Sequence, residues 1–213
     1  MNTDLNQYIL AIHSTDNHFG FAYRKPNSNS SDSFFIKKFD KDLCNHLITD
    51  LSHFFPRDNL QKVNRISISI GPANFNASRL IVVLARNLSQ QINCSLDNFS
   101  SFQLMAKRIA LHHSLCKKNQ SFWIFKKLKR RGYIAGQYEV CIDDTIKNNF
   151  FIKEKIEPRI FEKLSNNQTN IEADYDIKKD LEELLFLSNI NLKKSIFNSW
   201  EKVLPLYPLS PIN

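Results

Sequence analysis

The chain has 213 residues, of which 42% are hydrophobic and 17 are Phe, so it is long enough to bury one large core or two small ones. The composition is that of an ordinary globular protein. A formal net charge of +8 permits contact with nucleic acid or another acidic partner, although an excess of basic residues also serves solubility alone.

The four cysteines indicate neither a zinc site nor a disulfide framework, because they are far apart and form no CxxC pair. No metal site is predicted at His112 and His113 either, since adjacent residues on a helix face different directions. Residues 1–12 lack the basic start of a secretory signal, and no apolar run is long enough to span a bilayer. We therefore expect a cytoplasmic protein with no membrane partner.

The first half of the chain alternates between strand and helix patterns in the order β-β-β-α-β-α. Strands are predicted over 8–12, 18–24, 33–39 and 65–70. A helix is predicted over 41–55, where the apolar spacing is helical and Pro56 ends the run. A second helix of about 13 residues is predicted from Arg79, after the Gly71-Pro72 turn. Its core face is expected to contain Leu80, Ile81, Leu84, Ala85, Leu88 and Ile92.

Two faces of these helices are expected to point outward. Val82 and Val83 fall outside the core face of the second helix, beside Arg86, Asn87, Ser89 and Gln90, and exposed β-branched residues there suit a protein contact. The alternative is that they contact the preceding helix of the same chain. The helix over 41–55 presents the nearly uncharged set Asn45, His46, Thr49 and His53, while its apolar face contains Leu43, Leu47, Ile48, Leu51, Phe54 and Phe55.

The second half is less regular. A segment at 94–99 and a helix over 101–112 precede a polar joint at 112–120, which divides predicted domains 1–113 and 114–213. A hairpin of strands 121–128 and 133–140 turns at Gly132, which supplies the permissive backbone that a tight turn needs. We further predict a strand within 148–158, a surface loop over 165–176, helices over 178–187 and 192–203, and a proline-rich tail.

The strand, glycine turn and helix around Gly71 have the layout of a phosphate-binding loop. Such a cradle normally contains several glycines, whereas this turn has one glycine, followed by Pro72, which has no N–H to offer. A nucleotide cradle is therefore poorly supported at this turn.

Four segments, in order, resemble the TsaB (YeaZ) family: "ILAIHST" (9–15), "ISISIGPANFNASR" (66–79), "KRRGYIAGQY" (129–138) and "VLPLYPLSP" (203–211). The family's central motif, G-P-G-S-F-T-G-L-R, is matched here at Gly71, Pro72, Phe75 and Arg79. The resemblance implies an α/β fold of the actin, sugar-kinase and heat-shock-ATPase type, which is ribonuclease-H-like, with mixed sheets flanked by helices and two subdomains.

The resemblance also implies a non-catalytic subunit for the synthesis of threonylcarbamoyl-adenosine in tRNA. It implies that the two N-terminal helices dock a TsaD-type catalytic subunit, with contacts at Asn45, His46, Thr49, His53, Val82, Val83, Arg86 and Asn87. It further implies a TsaE-type ATPase in the complex and a possible homodimer when the chain is alone.

Two positions depart from the pattern in a way that bears on chemistry. His13 stands where related proteins have an Asp that helps hold metal-bound phosphate, and Leu128 stands where a second acid would be. Mg²⁺ prefers oxygen ligands, and a two-metal site needs clustered carboxylates. We therefore expect that the chain is not an enzyme and has no cofactor of its own. ATP and metal are expected to bind the catalytic partner. The alternative is a stand-alone kinase-like nucleotide-binding enzyme with a relocated site.

The basic run at the later hairpin has two open interpretations. Lys126, Lys127, Lys129, Arg130 and Arg131 can contact tRNA phosphates, with Trp123 and Tyr133 nearby for stacking. The same run also fits a solvated hairpin tip. Contact with tRNA is accordingly expected to be indirect or weak.

Overall fold

A computed structural model describes residues 7–26, 30–39, 43–128, 132–142 and 150–206. Its strands are β1 (Tyr8–Ser14), β2 (His18–Arg24), β3 (Ser33–Lys38), β4 (Val63–Ser69), β5 (Ser95–Phe99), β6 (Ser121–Lys127), β7 (Tyr133–Ile142), β8 (Phe150–Phe161) and β9 (Asn170–Glu172). Its helices are α1 (Leu43–Phe54), α2 (Arg57–Leu60), α3 (Phe75–Ile92), α4 (Ser101–His112) and α5 (Ile177–Lys193), followed by a 3-10 helix over Trp200–Lys202. The predicted β-β-β-α-β-α order is confirmed, with the short α2 added.

The described residues form two compact units. One comprises the chain up to Phe99 together with Asp176–Pro205, and the other begins at Ser100 and runs to Tyr175. This division differs from the predicted domains 1–113 and 114–213. The reason is that α4 packs on the strands that follow it, whereas α5 packs back on β1, β2 and β4.

The first unit is built on a five-stranded mixed sheet in the order β3-β2-β1-β4-β5. β1 pairs antiparallel with β2 and parallel with β4, and β4 pairs parallel with β5. β1 is buried along its whole length, as its nearly continuous apolar sequence predicts for a central strand covered on both faces. Side chains alternate between the faces, so Leu10, Ile12 and Ile68 join the core beneath α1 and α3.

The other face of this sheet, beneath α5, carries buried polar side chains. Arg65 Nη1 lies 3.1 Å from both carboxylate oxygens of Asp97. The Asp97 carboxylate also accepts hydrogen bonds from Ser188 at 2.6 Å, Asn191 at 3.0 Å and Asn198 at 2.6 Å. Each of the three is a charge-assisted hydrogen bond, so the buried pair has the partners that a desolvated charge needs.

The same network explains why the predicted helix over 192–203 is wrong. α5 ends at Lys193, and Ser195 has a φ of 54°. The backbone after Ser195 makes hydrogen bonds to the sheet instead of to a helix. Arg65 donates to the Ile196 carbonyl, and Leu96 N–H donates to the Asn198 carbonyl at 3.0 Å. Only the short 3-10 helix over Trp200–Lys202 forms there.

The second unit contains a four-stranded sheet in the order β8-β7-β6-β9. β6 and β7 form the predicted hairpin, with Gly132 at a φ of 79°. β9 lies within the segment predicted to be a loop and pairs parallel with β6. α4 covers one face of this sheet, where Phe102 and Met105 pack with Phe122 and Tyr138.

A hydrogen-bonded cluster joins α4 to β7 and β8. The Ser100 hydroxyl accepts from Gln103 N–H at the start of α4 and donates to Glu154 Oε2 at 2.5 Å. The Tyr138 hydroxyl donates to the same carboxylate oxygen at 2.8 Å. Burial raises the pKa of Glu154 above 4.5, against the opposing effect of these two hydrogen bonds.

We predict that Glu154→Gln alters how the free energy of unfolding depends on pH. The pKa of Glu154 is raised in the folded state, so the folded chain binds more protons and loses stability as pH rises from 4.5 through the folded pKa. A neutral amide keeps an acceptor for Ser100 and Tyr138 and does not titrate. Denaturant unfolding across this pH range should therefore show that the free energy of unfolding of the Gln variant rises relative to that of wild type as pH rises. If the difference in the free energy of unfolding between the variant and wild type is the same at every pH, the raised pKa of Glu154 is contradicted. The control is Glu162→Gln, because Glu162 is exposed.

Candidate docking surface

α3 lies on the first sheet through a stripe of small side chains. Ala77, Ala85 and Ser89 recur at intervals of four or eight residues and are at most 1% exposed. Ser89 donates a hydrogen bond to the Cys94 carbonyl at 2.7 Å, so its hydroxyl is satisfied within the core. Small residues at this spacing place one face of the helix close to the strands. The bulky residues at neighbouring positions are thereby moved to the sides of the helix.

Two predictions for α3 are consequently wrong. Val82 was expected to point outward, but it is 1% exposed and packs in the core, as does Ser89. Leu80, Leu84 and Leu88 were expected to form the face buried against the sheet, but they are only partly buried at the edge of the core. Val83 does point outward, with 56% of its surface exposed.

The displaced leucines line a groove between α1 and α3. The groove encloses about 350 Å³ and is lined by Leu47, Ile48, Leu80, Val83, Leu84, Asn87, Leu88 and Gln91. Ile48 was predicted to belong to the core face of α1, but it is 67% exposed at this groove. The groove is therefore an apolar depression with the exposed side chains of Ile48 and Val83 on its lining. We call it the α1–α3 groove.

The residues expected to contact a partner lie on and around these two helices. On α1, Asn45, Thr49 and His53 are exposed and His46 is partly buried, and none of the four lines the groove. On α3, Asn87 lines the groove and donates to the Val83 carbonyl at 2.9 Å. Arg86 is partly buried, with its guanidinium 5.5 Å from the centre of the Trp200 ring.

Sequence reasoning missed the groove leucines because it assigned the most hydrophobic side of α3 to the sheet. The available signal was the spacing Ala77, Ile81, Ala85 and Ser89, in which small residues mark the closely packed side. Their recurrence every fourth residue is the helical pattern of a single stripe.

The turn before α3 sets the start of this helix. Gly71 has a φ of 106°, a conformation that side chains rarely adopt, and both Gly71 and Pro72 are buried. Asn74 accepts a hydrogen bond from Ala77 N–H at 3.2 Å, so α3 begins at Phe75, four residues before the predicted Arg79. The Arg79 guanidinium lies 5.4 Å from the centre of the exposed Phe75 ring.

His13 and Leu128, the two positions at which the resemblance implies an acid, lie in two different units. His13 is fully buried at the end of β1, with Nδ1 2.5 Å from the Ser69 hydroxyl and Nε2 3.4 Å from an Asp180 carboxylate oxygen. Leu128 packs against the core of the second unit. Ser, His and Asp are the residue types of hydrolytic triads, but these three are at most 1% exposed, so a substrate carbonyl has no access to Ser69.

The basic run divides in the structure. Lys127 is exposed, whereas Lys126 is partly buried with its ammonium 5.3 Å from the centre of the Tyr175 ring. Lys129, Arg130 and Arg131 lie outside the described residues.

The described part of the chain shows neither a metal-binding cluster nor a membrane-spanning helix. Among these residues there is no group of three or more His, Cys, Asp or Glu side chains that could hold a metal ion. Within the same ranges, no helix combines the length and apolarity needed to cross a membrane.

The chain is similar to a curated protein in sequence and to solved structures in fold. The chain is 24% identical over 147 residues to the tRNA threonylcarbamoyladenosine biosynthesis protein TsaB of Buchnera aphidicola, a match that spans 63% of this chain and 58% of that protein. No family model matches the chain. YeaZ from Pseudomonas aeruginosa has a TM-score of 0.64 at 12% identity, over 94% of this chain and 99% of that one. A crystal structure described as an uncharacterized protein with similarity to peptidase YeaZ from Pseudomonas aeruginosa has a TM-score of 0.67 at 13% identity, over 95% of this chain and 100% of that one.

These likenesses fix the fold class first. The predicted α/β class, with mixed sheets flanked by helices, is confirmed, and the fold is that of the YeaZ structures. The resemblance to the TsaB (YeaZ) family that the four sequence segments predict is confirmed as well, at modest sequence identity.

We predict unequal losses of stability for substitutions at two neighbouring positions on α3. Val82→Asp places a carboxylate in the core and should cost at least about 3 kcal/mol in the free energy of unfolding. Val83→Asp lies on the exposed side and should change that free energy by no more than about 0.5 kcal/mol. Denaturant unfolding of both variants measures the difference. Similar losses in the two would mean that the orientation of α3 is wrong.

Proposed function

We propose that the chain is a non-catalytic, TsaB-like subunit that binds a TsaD-type catalytic subunit through the α1–α3 groove. In this way it supports threonylcarbamoyl-adenosine modification of tRNA in the cytoplasm. The proposal rests on one observation above the others, which is that the groove presents apolar side chains to solvent.

The exposed residues of the groove are unusual for a surface. Ile48 and Val83 are 67% and 56% exposed, and they adjoin partly buried leucines instead of charged residues. Large exposed apolar patches rimmed by polar residues mark protein interaction sites. Asn87 and Gln91 supply polar groups to the groove. Both side chains are uncharged, so docking does not have to remove water from a charge at these positions. An apolar surface on a TsaD-type subunit is therefore the occupant we assign to the groove.

The relatives supply the biological setting for this surface. The Buchnera relative is named for tRNA threonylcarbamoyladenosine biosynthesis. The likeness to YeaZ structures supports the same fold for this chain. A TsaE-type ATPase completes the proposed assembly through the catalytic partner. In the absence of the partner, the α1–α3 groove is also the surface on which we propose that two copies associate.

The chemistry of the residues supports a role without catalysis. At the end of β1 the oxygen ligand that Mg²⁺ prefers is replaced by the His13 imidazole, which is fully buried between Ser69 and Asp180. Leu128 offers no ligand at all. We therefore propose that the chain has no cofactor of its own and that ATP and metal bind the catalytic subunit.

The test of this function is loss of association without loss of folding. Ile48→Asp and Val83→Asp should each weaken binding to the TsaD-type subunit of the same organism by at least about 100-fold, because an unpaired charge becomes buried in the interface. The binding constant is measured by calorimetry with the full chain. The control is Leu111→Asp on α4, since Leu111 is also 56% exposed but lies in the other unit.

Three results decide the matter. Loss of binding in the two groove variants with retention in the Leu111 variant supports the proposal. Normal binding in the groove variants, or equal losses in all three, overturns it. Melting temperatures within a few degrees of wild type are required for each variant, which the exposure of all three side chains predicts.

A further inference from the structure

The four-stranded sheet of the second unit has one face packed against α4 and one outer face. Strand register assigns side chains to the two faces, because residues alternate along each strand. Phe122, Ile124 and Tyr138 lie on the α4 side, in the core. The intervening positions define the outer face, whose aromatic members are Trp123, Phe125, Tyr133, Phe151 and Phe161.

Four of these aromatic residues form two ring pairs. The rings of Trp123 and Phe161 are 5.2 Å apart, and those of Phe125 and Tyr133 are 5.6 Å apart, both edge to face. Ala135 is the register partner of Phe125 and has no bulk to separate the two pairs. Phe125, Tyr133 and Phe161 each keep part of their surface exposed. The outer face therefore presents ring surfaces to solvent at its centre.

Exposed cations accompany the rings. On β6 and β8 they are Lys127, Lys153, Lys155 and Arg159. The Arg159 guanidinium lies 5.2 Å from the centre of the Phe161 ring, and Lys127 is the register partner of Tyr133.

Three acids share this face, namely Glu139, Glu157 and Glu172, and Glu157 is exposed on β8 between Lys155 and Arg159. Glu139 forms an ion pair of 3.4 Å with Lys155, and Glu172 is the register partner of Phe125. The four cations outnumber the acids, and within the part of the chain that the structure describes Lys127, Lys153 and Arg159 form no ion pair.

We propose that this outer face binds an unpaired segment of RNA. Cations that follow a backbone, together with aromatic rings on which bases stack, are the two components of single-strand binding surfaces. An apolar protein surface would have to desolvate the cations of this face. A purely acidic protein surface would leave the aromatic rings without a stacking partner. The choice of RNA as the nucleic acid rests on the proposed function. The proposed RNA surface differs from the basic run predicted from the sequence. It leaves out Lys126, which lies on the α4 side over the Tyr175 ring, and it includes Lys153 and Arg159.

The test measures binding of the full-length isolated chain to a fluorescent single-stranded RNA of about 12 nucleotides, over a range of salt concentrations. The charge variant combines Lys127→Gln, Lys153→Gln and Arg159→Gln. It should lower the salt slope by about 2, since each lost single-strand phosphate contact removes about 0.7. The stacking variant Tyr133→Leu should weaken binding about tenfold and leave the salt slope unchanged.

The matched control removes three exposed lysines from the first unit, as Lys62→Gln, Lys194→Gln and Lys202→Gln. It changes the net charge as much as the charge variant does, and should leave the affinity and the salt slope near their wild-type values. Equal effects of the two triple variants, no effect of Tyr133→Leu, or no binding of RNA would each overturn the proposal. So would a polyglutamate peptide that displaces the RNA at equal charge concentration, because that result indicates an acidic protein partner. Because the TsaD-type subunit is absent from this experiment, its outcome is independent of the groove test.

Discussion

The close approach of α3 to the central sheet is the constraint from which the proposed docking surface follows. Ala77, Ala85 and Ser89 place little bulk between the helix and the strands, and Ile81 and Val82 fill the remaining core positions of the helix. A helix held this close exposes the residues at its sides, whatever their hydrophobicity. Leu80, Leu84 and Leu88 then face α1 across a groove that the described residues leave open. The apolar surface is thus a consequence of tight packing on the opposite side of the same helix.

The two faces of the sheet are stabilised by different physics. Beneath α1 and α3 the contacts are apolar, and burial of aliphatic and aromatic surface provides the stabilisation. Beneath α5 the sheet carries the buried Arg65–Asp97 pair, with side-chain partners contributed by α5 and the segment after it. Loss of one charge would leave the other buried and uncompensated, which typically costs 3–5 kcal/mol. This network fixes the position of the C-terminal helix and the extended chain that follows it.

The sequence predicted most of the strands and helices because their patterns are local. The strand alternation around β2 and the Ser100 cap of α4 require no knowledge of the rest of the fold. The orientation of α3 was not predictable from hydrophobicity, because Leu84 and Val82 are equally apolar and only the close approach to the sheet separates them. The end of α5 depends on partners more than 100 residues away, since Asn198 pairs with Asp97 and Ser95. No local pattern reports such a contact.

The central claim is that the α1–α3 groove is covered when the TsaD-type subunit binds. Hydrogen exchange of the full chain, measured with and without the TsaD-type subunit of the same organism, tests this directly. Slower exchange in the complex is predicted for peptides that cover α1 and α3, with little change in β7 and β8, the strands of the other unit. Protection confined to the second unit, or no protection in α1 and α3 at saturating partner, would contradict the account.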